Sequence, residues 1–210
     1  MAQVKICGLS TAETMQAALD AGADFVGLMF YEKSPRNVSL EQAAKLATMA
    51  KGRVKIVAVV VDADDALLKA IVNHAKPDYI QAHGGETPQR IEEIKNLYGV
   101  RVIKVIKVKD AADVVLAKDF RDVADLIMFD PKAPKDSLPG GNGLSFDWNL
   151  LTGIDGQFML AGGLNPDNVA QAIKVTHAPI VDVSSGVEFA PGIKDVGLIR
   201  KFIEQAKAAR

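Results

Sequence analysis

A thiol and a carboxylate at the ends of two apolar runs are the groups in this chain best suited to proton chemistry. Cys7 is the one cysteine of 210 residues, in Val4-Lys5-Ile6-Cys7-Gly8-Leu9-Ser10. A strand pattern stops there at a glycine, and a helix start follows. Side chains at such corners meet ligands in α/β folds, and a thiol there can act as acid, base or nucleophile. Asp130 ends a second run, Leu126-Ile127-Met128-Phe129-Asp130. Further polar groups sit at comparable places: Arg36 in Tyr31-Glu32-Lys33-Ser34-Pro35-Arg36, and His83 in Gln81-Ala82-His83-Gly84. Each has a plainer reading. Cys7 alone reads as a small buried hydrophobe. Asp130 reads equally as a helix cap or as an ion pair with Lys132 or Lys135, Arg36 as a solvated loop residue, and His83 as a hydrogen-bonded structural histidine.

Two small-residue segments offer something different. Ala161-Gly162-Gly163-Leu164-Asn165 and Asp182-Val183-Ser184-Ser185-Gly186 expose backbone N–H groups without steric cover. N–H groups at helix starts bind anions, which points to a phosphate site. The glycines also suit simple turn geometry. Rossmann, Walker A and His-Glu-x-x-His patterns are absent. A dinucleotide is therefore not favoured; His74 and His177 lie apart from the other candidates, so clustered histidine metal ligands are not expected, and a lone cysteine excludes an intrachain disulfide or multi-cysteine metal site.

The elements that must position these groups form a regular series. Apolar strand-like runs begin near Val4, Phe25, Val54, Tyr79, Val102, Leu126, Phe158 and Ile180. A helical stretch follows each, the sixth looking short. Unbroken runs such as Val57-Ala58-Val59-Val60-Val61 suit parallel strands buried on both faces. Ser10-Thr11-Ala12-Glu13 and Ser39-Leu40-Glu41-Gln42 fit capping boxes. Thr87-Pro88 and Asn165-Pro166 place a cap before an N1 proline. Leu67, Leu68, Ile71 and Val72 read as one apolar helix face, and Ile199, Phe202, Ile203 and Ala206 as another. Eight βα units without a composition break predict a single (β/α)8 barrel over residues 1–210, with function at the carboxyl ends of the strands.

Bulk properties bound the partners. The chain is 49% hydrophobic with a formal net charge of −1 and a pI near 6.3. That balance gives no reason to expect nucleic acid or a membrane. No run approaches the ~20 apolar residues of a membrane span, and the first residues lack a signal-peptide core. The expected setting is the cytoplasm, with a small phosphorylated molecule as partner. A monomer is expected, with a homodimer as the alternative.

In family order, the chain resembles phosphoribosylanthranilate isomerase of tryptophan biosynthesis. The resemblance rests on Lys5-Ile6-Cys7-Gly8-Leu9, Ser34-Pro35-Arg36, Gln81-Ala82-His83-Gly84, Phe129-Asp130, Gly140-Gly141-Asn142-Gly143 with Phe146-Asp147-Trp148, Ala161-Gly162-Gly163-Leu164, Asp182 to Glu188, and Gly192-Ile193-Lys194-Asp195. Ala82 departs from the family's larger aliphatic residue, which would loosen packing under His83. The resemblance implies a cofactor-free Amadori rearrangement of N-(5-phosphoribosyl)anthranilate to an aminoketose. It implies Asp130 as the acid, Cys7 as the base, and Arg36 as partner of the anthranilate carboxylate. Gly163, Ser184, Ser185 and Gly186 would hold the phosphate. Asp182 would accept from a sugar hydroxyl, or else cap a turn with Ser184. His83 would line the pocket without moving a proton, and the Gly140–Gly143 loop would close over substrate. Asp130 would need to keep its proton near neutral pH. Cys7 would need help toward the thiolate, from a helix start or from Lys5. Other readings are a related phosphosugar aminoaldose isomerase, where an aspartate usually replaces Cys7, a non-catalytic phosphosugar-binding barrel, and a thiol redox sensor.

Overall fold

Eight parallel strands close into a barrel in strict chain order, β1 beside β2 and so on round to β8 beside β1. The strands are β1 (Gln3–Cys7), β2 (Phe25–Phe30), β3 (Lys55–Val60), β4 (Tyr79–Ala82), β5 (Arg101–Val108), β6 (Leu126–Pro131), β7 (Phe158–Leu160) and β8 (Ile180–Val183). This computed structural model describes residues 1–134, 140–141 and 143–209. Lys135 and Asn142 of the sequence reading lie outside the described residues. Every strand begins within one or two residues of its expected place, because the apolar runs are buried on both faces.

Alternation along each strand makes two cores. Outward residues such as Ile6, Leu28, Ala58, Ile80 and Val102 pack against the surrounding helices. Inward residues such as Cys7, Val57, Val59, Ile103, Met128 and Met159 fill the barrel. Ala82 belongs to the outer set. It faces away from His83, so the expected loosening under the imidazole does not arise. At the opposite end, an aspartate just before each of β2, β4 and β6 ties down the preceding strand. Asp24, Asp78 and Asp125 accept from the amides of Val4, Ile56 and Val102 at 2.8–2.9 Å.

The helices are α1 (Ala12–Asp20), α2 (Leu40–Ala50), α3 (Asp65–Ala75), α4 (Pro88–Tyr98), α5 (Ala111–Val115), α6 (Val169–Thr176) and α7 (Val196–Ala208). After β6 the helix is only a 3₁₀ turn, Trp148–Leu151. Ser39 and Thr87 supply the caps of α2 and α4, but the expected box at α2 is only half made, because Gln42 Nε2 donates to the Ser10 carbonyl. Three further local expectations shift. Thr11, not Ser10, caps α1, because its hydroxyl accepts from the Thr14 amide. Asn165 instead closes a turn by accepting from the amides of Asp167 and Asn168, and α6 starts after it. Leu67 is exposed, while Leu68 and Ile71 carry the buried face of α3. One element had no sequence signal assigned to it: a short antiparallel hairpin, β9 (Glu188–Ala190) with β10 (Ile193–Lys194), between β8 and α7.

Candidate active site

Period-two alternation aims Lys5 and Cys7 of β1 into the barrel, and likewise Gln81 with His83 after β4, Asp130 of β6 and Asp182 of β8. A cavity at the carboxyl end is walled by Cys7, Arg36, His83 and Asp130 together with Gly163, Asp182, Ser184 and Ser185. The fold thus brings together eight of the nine expected site residues. Gly186 is not in that wall. Its backbone φ is not positive, and a Cβ there would run into the Leu164 carbonyl.

Cys7 is buried, as is Lys5 two residues before it. Lys5 Nζ donates to Asp182 Oδ1 at 2.8 Å. Burial pushes the Cys7 thiol above its ordinary pKa, Lys5 pulls against that rise, Asp182 adds to it, and Lys194 opposes it. Burial works to lower the Lys5 ammonium, yet Asp182 and Cys7 outweigh it and leave its pKa raised. The charge expected to help the thiol is therefore Lys5, held ready by Asp182. Asp182 thus pairs with Lys5, where the alternative reading had it cap a turn with Ser184.

Asp130 is buried and, among the described residues, pairs with neither Lys132, which reaches Asp113, nor a cap partner. Its Oδ2 lies 3.3 Å from His83 Nε2, and His83 Nδ1 lies 3.1 Å from Gln81 Nε2. With the amide donating to Nδ1, the ring N–H sits on Nε2 and donates a hydrogen bond to Asp130 Oδ2. Gln81 Oε1 is buried with no partner among the described residues.

Arg36 is 5% exposed, against the reading of a solvated loop arginine. Its Nε and Nη2 reach the two oxygens of Glu188 at 2.7 Å each. Lys194 Nζ donates to the same carboxylate at 2.6 Å. Burial works to raise the Glu188 pKa, but Arg36 and Lys194 together bring it down to about 2. Sequence reasoning gave no role to Glu188, Lys194 or Gln81. Only the alternation of β4 pointed to Gln81, by putting it on the face of His83.

Two glycines cover the site. A Cβ on Gly140 would sit 3.0 Å from His83 Cε1, and one on Gly141 would sit 2.5 Å from Arg36 Nη1. Both have positive φ, so only glycine lets backbone pass this close. Gly163 also has positive φ, at +62°, and a Cβ there would meet the Leu144 carbonyl at 2.8 Å. A buried pair outside the cavity steadies the β4 loop. Lys104 Nζ reaches Glu86 at 2.7 Å, and Glu86 accepts from the amides of Asp62 and Gly84.

A buried thiol and carboxyl facing one cavity, with a guanidinium and glycine loops at its rim, suit acid–base work on an anionic molecule. Comparison with known proteins agrees in scale and detail. The family model described as N-(5'phosphoribosyl)anthranilate (PRA) isomerase matches residues 4–205. The N-(5'-phosphoribosyl)anthranilate isomerase of Parvibaculum lavamentivorans is 51% identical over 212 residues, covering 99% of both chains. A crystal structure of phosphoribosyl anthranilate isomerase in complex with reduced 1-(o-carboxyphenylamino)-1-deoxyribulose 5-phosphate superposes with TM-score 0.86 at 33% identity, covering 99% of each chain. Monomers generated from the dimeric enzyme of Thermotoga maritima give the same TM-score, identity and coverage. With the match running the length of the barrel and through every strand that carries a candidate group, the chain belongs to the phosphoribosylanthranilate isomerase family.

Proposed function

We infer that this chain converts N-(5-phosphoribosyl)anthranilate to 1-(2-carboxyphenylamino)-1-deoxyribulose 5-phosphate, the step of tryptophan biosynthesis its family is named for, with Asp130 as acid and Cys7 as base. One observation carries the assignment of roles. Asp130 and Cys7 come from strands three places apart around the barrel and wall the same cavity. Asp130 gives its proton to the furanose oxygen. The ring C–O bond breaks, and the anilino nitrogen's lone pair forms a cationic Schiff base. That cation acidifies the C2′ proton, which the Cys7 thiolate removes. The bonding electrons flow back to nitrogen, and the resulting enolamine tautomerises to the ketone.

The other residues bind and orient. Arg36 meets the anthranilate carboxylate as a charge-assisted pair. Gly163, Ser184 and Ser185 hold the phosphate through backbone N–H groups and hydroxyls, as loops after the last two strands do in such barrels, and Gly186, just outside the cavity wall, lets the Ser184–Ser185 loop pack against the Leu164 carbonyl. Asp182 accepts from a sugar hydroxyl with the oxygen Lys5 leaves free. His83 orients Asp130, and Gly140 and Gly141 exclude water from the reacting atoms. The reaction needs no cofactor or metal, and the partner is this one small phosphorylated molecule. No helix among the described residues is long and apolar enough to cross a membrane, which fits a biosynthetic role in the cytoplasm. The dimeric Thermotoga relative and its monomeric forms leave both monomer and homodimer compatible with this site, which is built within one chain. The activity is tested with freshly prepared phosphoribosylanthranilate, whose fluorescence changes on turnover. No change with folded protein would refute the activity.

A further inference from the structure

Arg36 meets its ionic partner along one edge of its fork. Nε and Nη2 face Glu188, two bonds of 2.7 Å that fix the plane of the guanidinium. The other edge, Nη1 with the second hydrogen of Nη2, faces Gly141, whose carbonyl accepts from Nη2 at a long 3.4 Å. Glu188 is itself held from three sides: Arg36, Lys194 Nζ at 2.6 Å and the Gly192 amide at 3.2 Å. Residues 188 and 194 stand opposite each other in the β9–β10 hairpin, so the hairpin register sets this geometry. Lys194 reaches further, donating to the Ser184 carbonyl at 2.9 Å and its hydroxyl at 3.2 Å. The Glu188 and Lys194 side chains are 4% and 1% exposed.

A buried carboxylate beside an anion-binding arginine would normally compete with the anion. Here its charge is cancelled by Lys194, while its two-point grip on Arg36 is kept. We propose that the Glu188–Lys194 pair is a positioning and specificity element for the substrate's aromatic carboxylate: Glu188 aims the Nη1–Nη2 edge of Arg36, and Lys194 cancels the Glu188 charge so that this edge still attracts an anion. A bidentate carboxylate takes Nη1 and replaces the long Gly141 contact on Nη2. Through Ser184 the pair also ties the carboxylate end of the cavity to the loop assigned to phosphate, setting the distance between the two anionic groups that the site accepts. The proposal rests on the reading of Arg36 given above.

The test compares inhibition constants for two probes, reduced 1-(o-carboxyphenylamino)-1-deoxyribulose 5-phosphate and its counterpart lacking the ring carboxylate. Their ratio isolates the carboxylate, and a merely structural defect would raise both constants together. The wild-type ratio should be roughly 10- to 150-fold, the range of one charge-assisted contact, and Arg36→Met should bring it near unity. The double variant Glu188→Gln/Lys194→Met removes one charge of each sign, so Arg36 keeps its charge but loses its aim. Its ratio should fall about tenfold. A wild-type ratio in the double variant, with the ratio lost in Arg36→Met, overturns the proposal and leaves the Arg36 reading standing. A wild-type ratio in Arg36→Met sinks both. Should circular dichroism show the double variant unfolded, Lys194→Met alone decides: its uncancelled Glu188 must lower the ratio, and an unchanged ratio overturns the proposal.

Discussion

His83 Nε2 stands 3.3 Å from Asp130 Oδ2, while Gln81 Nε2 stands 3.1 Å from the other ring nitrogen. This row can serve either protonation state of the carboxyl. With the Gln81 amide donating, the imidazole carries its proton on Nε2 and stabilises a carboxylate. With the amide turned over, the unpartnered Oε1 would accept from Nδ1, and Nε2 would accept from a protonated Asp130. Asp130→Asn should lower kcat by ~10²–10⁴, the usual contribution of a general acid, with a smaller effect on KM. His83→Asn should lower kcat less and leave the substrate's carboxylate contact intact. Near wild-type kcat in a folded Asp130→Asn variant refutes the acid assignment.

Cys7→Ser should lower kcat by a similar ~10²–10⁴, since a hydroxyl is a far weaker base at neutral pH. Burial raises the thiol's pKa, so thiol dominates at neutral pH and the thiolate fraction grows as pH rises. The rate should therefore climb into the alkaline range, and iodoacetamide inactivation should climb with it. Lys5→Met removes the charge that restrains this rise and leaves Asp182 to raise it further. Its kcat/KM should fall most at neutral pH and recover in part on the alkaline side. Profiles of kcat/KM from about pH 6 to 10 check this; a uniform loss across the range would exclude an electrostatic role for Lys5.

Arg36→Met should act mainly on KM, because a carboxylate contact is present in ground and transition states alike. At ~1.5–3 kcal/mol for a bond to a charged group, the rise should be roughly 10- to 150-fold. Steady-state kinetics separate the constants. A collapse of kcat with KM unchanged would move Arg36 into the chemistry of the transition state.

The phosphate loops respond to bulk more than to loss of a hydroxyl. Gly163→Val combines a φ of +62° with the close Leu144 carbonyl, and Gly186→Val drives a side chain into the Leu164 carbonyl. Both should distort the loops, greatly weakening substrate binding and competition by inorganic phosphate. Ser185→Ala removes one bond of ~0.5–1.5 kcal/mol and should cost about tenfold or less in affinity. Phosphate inhibition at wild-type strength in both valine variants would exclude the site.

Glu188 should link stability to acid. Its pKa lies at about 2 in the fold against an ordinary 4.5. A depressed carboxyl contributes stability that is full above its unfolded value and is lost as pH falls through the folded one. The Tm gap between wild type and Glu188→Gln should therefore be constant above about pH 5 and close between 4.5 and about 2. A gap independent of pH in that window would show that the carboxylate's charge contributes nothing.

Features decided at short range were legible in the residues alone. Runs buried on both faces put the starts of β2, β4, β6, β7 and β8 at the expected residues. Caps at Ser39 and Thr87 need only the next turn of helix. Glycine loops and the lone thiol at strand ends marked the rim where chemistry belongs. The tertiary structure alone decided which charges meet. Lys5 and Asp182 are 177 residues apart, and Arg36 and Glu188 are 152 apart. No local pattern pairs them, because barrel closure between β8 and β1 and the register of one hairpin bring them into contact. The same contacts chose between alternatives the sequence left open: Asp182 is the partner of Lys5 and not a turn cap, and Arg36 is a buried fork and not a solvated loop residue. Low dielectric then made these contacts strong enough to set protonation: a carboxylate held by two cations titrates far below its usual range, and a buried thiol resists losing its proton.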